Sequence, residues 1–353
     1  MRGIAALTVA AMHVTSSLVE GIPTRGSLDP LGLQLIKALS NGYGAVVAFF
    51  VISGFVLARS LDRNFSARRF FRGRLFRLFP AAITTIGLFA LLFYGWGFVV
   101  YRNASYAPIN ILANMAMLRA DIDAVMWSMK AELAATPLIF VCVWLCRRFG
   151  ARPVIVTAVV LFGLAFVGQY SKLIGDDTNL ALLFAFPVGI LVHFKGEAIA
   201  RRLRPAAAVL GTLGSVAVFC ACAFFKPSGT WTLLVQCLSA ATLVMLIAYR
   251  PEVPLLAVLD TRIVRFYGRI SYSFYLLHPL TFWTTGRLIA WLLNGFDGLP
   301  VTVVAIICIP FSVAAVTPLA WASWRFVEVP AMNRRWSSKA TVGEEPLLVS
   351  GNA

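Results

Sequence analysis

The sequence predicts an all-α integral membrane protein with about ten transmembrane helices and both termini on the cytoplasmic side. Three observations carry this. Of 353 residues, 59% are hydrophobic and 13% charged, with a mean hydropathy of +0.82, too little polar surface for a water-soluble domain. Apolar runs approaching the ~20 residues that cross a bilayer recur along the whole chain. The formal charge of +16 is gathered into short segments between those runs, the pattern of positive cytoplasmic loops rather than of a nucleic-acid platform. No array of interleaved aromatic and basic residues lies outside the apolar runs, so no nucleic-acid partner is expected.

The first run, 3–19, follows Arg2 and is read as a retained span rather than a signal peptide, because so many apolar runs follow it. Further spans are expected at 39–58, 80–99, 133–146, 153–169, 179–193, 205–225, 230–248, 268–291 and 300–321. The segment RSLDRNFSARRFFRGRLFR, 59–77, holds seven Arg and one Asp, which assigns it to the cytoplasm. The same parity puts 147–152, 195–204, 261–269 and the C-terminal WRFVEVPAMNRRW on that side. The 20–38 segment balances Arg25 and Lys37 against Glu20 and Asp29 and reads as an outer loop. Counting PINILANMAML, 108–118, as a span would break the charge rule, so 100–132 is expected to be an outer loop with a short interfacial or re-entrant helix. One membrane domain, 1–336, is followed by a polar tail, 337–353, expected to be disordered.

Four constellations carry chemistry, each with a plainer reading beside it. Arg2 and His13 are eleven residues apart, so they share a helix face about 16 Å apart along the axis. That expectation sets Arg2 at the cytoplasmic interface and His13 near mid-membrane, where it is either a general base toward a hydroxyl or a helix-to-helix hydrogen bond. The Arg-rich segment, with Arg69, Arg72, Arg74 and Arg77, is either a topology anchor or a grip on phosphate or lipid headgroups. In WSMKAEL, Glu132 orients a hydroxyl, pairs with Lys130, or caps its helix. In YGRISYSFYLLHPL, His278 belongs either to a hydrogen-bond network with its Tyr and Ser neighbours or to the chemistry. His193 reads as interfacial. The six cysteines lie in apolar runs without metal-site spacing and read as small core residues, and no metal is expected.

Taken in order, these segments resemble the acyltransferase-3 family of multispan membrane O-acyltransferases. Arg2 and His13, with RGIAAL, are similar to its first-span Arg and His pattern, and FFVISGFVLAR to its FFxxSGF segment. FRGRLFRLFP resembles the RxxRxxP segment through Arg74, Arg77 and Pro80, and WSMKAELAATP the Trp, Ser, Glu and Pro positions through Trp127, Ser128, Glu132 and Pro137. GRISYSFYLLHP matches SYxxYLxH through Ser271, Tyr272, Tyr275, Leu276 and His278, and RFVEVP resembles the closing aromatic, acidic, Pro pattern. Two departures stand out. Relatives follow the glutamate with aromatic residues where this chain has LAATP, and they have residues preceding the first-span Arg. No esterase-like domain is seen, so the chain is expected to work alone or with a separate partner.

The resemblance implies a bacterial inner-membrane enzyme that moves an acyl group, acetyl by default, from acyl-CoA to a hydroxyl of a glycan, glycolipid or related acceptor. No permanently bound cofactor is implied; acyl-CoA is the donor substrate, and membrane lipids and a glycan or lipid-linked acceptor are the other partners, with oligomeric state open. His13, Arg2 and Glu132 become the expected catalytic residues, and Arg69, Arg72, Arg74 and Arg77 the expected donor site. Trp127, Ser128, Ser271, Tyr272, Tyr275 and His278 are the expected supporting residues. The rival is a proton-coupled carrier or flippase, which mid-membrane histidines in a helix bundle also suit.

Overall fold

Helix α3 (Gly42–Arg63) is the axis on which the bundle is built, and its packing follows from two glycines. A Cβ at Gly54 would lie 2.2 Å from the Phe186 carbonyl oxygen, and one at Gly189 would lie 2.1 Å from the Val51 carbonyl oxygen. The backbones of α3 and α8 (Ala185–Arg202) therefore meet where neither carries a side chain, the small-residue packing by which helices associate when lipid offers no hydrophobic drive. The computed structural model describes residues 1–21, 29–101, 103–167, 171–173, 176–178, 180–225, 229–280 and 300–334, with Leu288 and Trp291.

Around this axis lie α1 (Arg2–Gly21), α4 (Ala67–Trp96), α6 (Trp127–Phe149), α10 (Thr230–Tyr249), α11 (Arg262–Leu277) and α12 (Val301–Ser323). Flanking them are α2 (Asp29–Leu39), α5 (Pro108–Met115), α7 (Arg152–Val167) and α9 (Pro205–Ala221), and a π-helical turn, Trp324–Glu328, leads into α13 (Val329–Arg334). The only β-structure among the described residues is the antiparallel pair β1 (Ser171–Leu173) and β2 (Asp176–Thr178). The all-α, multispan architecture matches expectation, but the number of spans does not. Among the described residues, six helical stretches are long and apolar enough to cross a membrane: Asp29–Arg63, Ala67–Trp96, Ala124–Phe149, Pro205–Phe224, Thr230–Tyr249 and Val301–Arg334. The expected ten is corrected accordingly. Helices α7 and α11 have 16 residues each, and the 18 residues of α8 include Lys195, Glu197, Arg201 and Arg202. Residues 281–287 and 292–299, part of an expected span and its following loop, lie outside the described residues, as does the 337–353 tail.

The Arg-rich segment is also corrected, from a loop to helix. Ser66 caps α4 by accepting the Arg69 amide at 3.4 Å, so Arg68 to Arg77 occupy its first three turns. One end of the bundle gathers the basic segments. Asp62 meets Arg147 at 3.8 Å and His193 at 3.2 Å, Arg250 donates to the Ala200 and Leu203 carbonyls, and Arg72 to that of Arg334.

At the opposite end the 97–126 segment folds on itself. Asp121 accepts from the Asn110 and Asn114 amides at 2.6 and 2.8 Å, which fixes α5 against the entry to α6. Burial alone would raise the Asp121 carboxyl, but these amides hold it below its ordinary value. Asp123, fully buried, is pushed well above its ordinary value by desolvation.

Candidate active site

Glu132 enters on the second turn of α6, buried, and a buried carboxylate needs charge and hydrogen bonds around it. Its Oε1 lies 2.8 Å from Arg74 Nη2 and accepts the Ser53 hydroxyl at 2.7 Å. Arg2 reaches the same Ser53 oxygen, donating from Nη2 at 3.4 Å. Four helices thus converge on one polar cluster: α1 through Arg2, α3 through Ser53, α4 through Arg74 and α6 through Glu132. They line a cavity of about 530 Å³ of empty space including its mouth, completed by Arg77, Ser128 and the α11 residues Ser271, Tyr272 and Tyr275. Arg74 Nε is buried without a hydrogen-bond partner among the described residues, which leaves a guanidinium donor for a ligand oxygen.

The α11 wall is held from two sides. Tyr272 donates to the Leu78 carbonyl at 2.7 Å, and its ring lies under the Arg77 guanidinium at 5.4 Å. Arg77 pairs with Glu328 at 2.9 Å, and Glu328 in turn accepts the Ser273 amide at 3.1 Å and its hydroxyl at 2.5 Å. Glu328 sits in the π-helical turn, where the wider helix changes which face a side chain leaves from. Farther along α11, the hydroxyls of Ser128 and Tyr275 meet at 2.9 Å.

His13 and His278 meet each other. Their ring centroids are 5.1 Å apart, and neither ring lines the cavity. His278 is fully buried in a 3₁₀ turn that continues α11, with Nδ1 2.5 Å from the Tyr275 carbonyl oxygen.

The depth expected for α1 is corrected. Arg2 contacts Ser53, midway along α3, while the Met12 side chain lies against Gly42, the first residue of α3. Arg2 is therefore level with the middle of the bundle and His13 with the end opposite the basic segments. The close approach of Gly3 to the Gly268 backbone, 2.6 Å from a would-be Cβ, sets this register. A charge count cannot foresee such a contact.

Of the expected donor-site arginines, Arg74 and Arg77 line the cavity and Arg69 and Arg72 do not: Arg69 is exposed, and Arg72 packs over Phe76 and toward Arg334. Trp127 stands behind the wall, edge-on to Phe50 at 6.4 Å. Lys130 donates to the Leu118 carbonyl rather than pairing with Glu132, and Glu132 is no helix cap. Ser53 and Glu328 carry no expectation from the sequence, although both lie within quoted segments, FFVISGF and RFVEVP; only the fold brings them to the arginines. Among the described residues no group of three or more His, Cys, Asp or Glu could hold a metal ion.

The described residues thus form a helix bundle of membrane-spanning character with a charged, hydroxyl-lined cavity and a histidine pair outside its lining. A family model described as an acyltransferase domain, that of the acyltransferase-3 family, matches residues 1–321, and the chain belongs to that family. It is an acyltransferase, which displaces the carrier reading. No curated protein and no solved structure matches the chain.

Proposed function

We propose that the chain moves an acyl group, acetyl by default, from cytoplasmic acyl-CoA to a hydroxyl of a cell-surface glycan, glycolipid or related acceptor, in a bacterial cytoplasmic membrane with both termini inside. The observation that supports this most is the convergence of Arg2, Arg74 and Arg77 on one cavity, with Arg2 on the same helix as His13. Arg77, at the mouth and 22% exposed, and Arg74, deeper and buried, offer guanidinium forks to the anionic part of the donor. Arg2 stands about 16 Å along its helix from His13, so one helix face serves both the arm and the reacting end of an extended donor.

In this reading His13 accepts the acceptor hydroxyl's proton as that oxygen attacks the thioester carbonyl carbon. The C–S bond breaks, and the departing thiolate recovers the proton from the imidazolium. Tyr275 and Ser128, whose hydroxyls meet each other and both donate toward the Val125 carbonyl, would have to turn from that carbonyl to serve the developing oxyanion, and Glu132 holds Arg74 and Ser53 in place. The test supplies purified protein in lipid with acetyl-CoA and candidate glycans and follows thiol release. Acceptor-stimulated release is expected to vanish in His13→Ala and to require more donor in Arg74→Ala. Transfer that survives His13→Ala sinks the mechanism, and failure to bind acetyl-CoA sinks the donor assignment.

A further inference from the structure

The π-helical turn puts Glu328 where a straight α-helix would not. Within it the Val329 amide donates to the Trp324 carbonyl, five residues back. Side chains five apart on an α-helix diverge by about 140°, whereas one wider turn brings them toward a common face. Ser323 and Glu328 are such a pair, and both meet Ser273 of α11. Ser323 does so through its hydroxyl at 2.9 Å, and Glu328 Oε1 by accepting the Ser273 amide at 3.1 Å and hydroxyl at 2.5 Å. The second carboxylate oxygen, Oε2, is thereby left to Arg77 and lies 2.9 Å from its Nη1. One turn farther on, Met332 Sδ accepts from the same Nη1 at 3.3 Å.

Arg77 lines the cavity, and Glu328 and Met332 do not. The two contacts therefore hold one corner of the guanidinium from behind the wall, while the Tyr272 ring supports it with its centroid 5.4 Å from Cζ. The opposite edge carries Nε and Nη2, a pair of N–H groups in the fork geometry that takes a phosphoryl anion bidentately. We propose that Glu328 is a positioning residue: by holding Nη1 it turns the Nε–Nη2 edge of Arg77 into the cavity mouth, as a fork for a phosphoryl group of the donor. This rests on the reading of Arg77 as part of the donor site and deepens it. By charge alone Glu328 is the wrong residue for the place, because a carboxylate repels the anion that Arg77 is to grip. What it supplies is preorganisation. An arginine free to rotate gives up rotamers when it closes on an anion, and one already held at a corner gives up few.

These opposed effects make the test decisive. Binding of CoA, and separately of inorganic pyrophosphate, to the purified full chain in lipid nanodiscs is measured by calorimetry for the parent, Glu328→Gln, Arg77→Lys and the double variant. Glu328→Gln deletes a negative charge beside the site, so attraction alone predicts tighter binding. Positioning predicts the reverse, CoA binding about tenfold weaker. Arg77→Lys keeps the charge but has no fork to aim, so adding Glu328→Gln to it is expected to cause no further loss. In turnover, Glu328→Gln is expected to raise donor KM about tenfold with kcat nearly unchanged. Tighter or unchanged CoA binding in Glu328→Gln, or an equal loss with Arg77 and with lysine in its place, overturns the proposal. Should Glu328→Gln fail to fold, as its thermal midpoint and elution profile would show, Ser273→Ala decides instead. It loosens Glu328 without removing the charge and is expected to weaken CoA binding about threefold; unchanged affinity counts against the proposal. A parent that binds pyrophosphate with this coupling, but not CoA, removes acyl-CoA as the donor and leaves the role of Glu328 standing. A parent that binds neither overturns it.

Discussion

Glu132 Oε1 is shared between an arginine and a serine, and this sharing sets what a single substitution does there. Deleting either charge of a buried pair strands the other, at a cost of about 3–5 kcal/mol, whereas replacing both with apolar residues of similar volume is often neutral. Glu132→Ala and Arg74→Ala are therefore each expected to lower the thermal midpoint sharply. Glu132→Met with Arg74→Met is expected to recover most of it yet remain inactive, as differential scanning fluorimetry beside a thiol-release assay would read. Recovery of activity along with stability would mean that the pair is only structural. Asp123 is the contrasting case, a buried carboxyl raised by desolvation. A raised folded pKa means that stability is fully present below the unfolded value of 3.8 and is lost as pH rises toward the folded one. Asp123→Asn removes that loss. The variant is expected to melt higher than the parent at neutral pH, the gap closing as pH falls to about 4; a gap that widens in acid would contradict the assignment.

Between elements, backbone proximity does what side-chain chemistry does within the site. Gly54 and Gly189 let α3 and α8 touch, and a methyl at either must push carbonyl oxygens apart by more than a rotamer can relieve. Gly54→Ala and Gly189→Ala are expected to cost 1–3 kcal/mol or more each. Because Ser53 is the neighbour of Gly54, the first is also expected to raise donor KM more than the second. Equal effects on KM would detach the glycine contact from the cavity. Asp29 shows the same principle by charge: its carboxylate accepts the Val301 and Thr302 amides at 3.0 and 2.9 Å, capping a helix 272 residues away in sequence. This is also where legibility ends. The apolar runs of α3, α9, α10 and α12 were readable because lipid demands them, and the arginine, glutamate and histidine positions because such groups are rare inside apolar runs. The start of α4 was not, since charge suggested a loop where Ser66 caps a helix. Nor were Ser53 and Glu328, whose polar roles exist only once α4 is placed between them, or the depth of Arg2, which follows from a glycine contact with α11.

The whole molecule is polarised, with the basic segments and Arg77 at one end and the His13–His278 pair toward the other. Polarity of this kind makes a prediction about sidedness that no single residue makes. On the proposed reading the donor is acyl-CoA, which is highly charged and does not cross lipid, so it would reach the arginines only from the basic end, where the field of a +16 chain would also raise its local concentration. With His13 as the proposed base, the acceptor hydroxyl would meet the acyl group near His13, deeper toward the opposite end, because a base acts only within hydrogen-bond reach of its proton. Donor and acceptor would then enter from different faces, and the chain would pass the acyl group across the bilayer without moving either carrier. In sealed vesicles that expose the basic end, thiol release is expected as soon as acetyl-CoA is added outside. Vesicles of opposite orientation are expected to show none until detergent opens them, after which the two become equal. Raising ionic strength is expected to raise donor KM while leaving kcat nearly constant, because steering is screened over about 8–10 Å whereas chemistry in a dry cavity is not. Release from the oppositely oriented vesicles before opening would place donor entry beside the histidines. The arginine cluster would then be a topology anchor, and the cavity would belong to the acceptor.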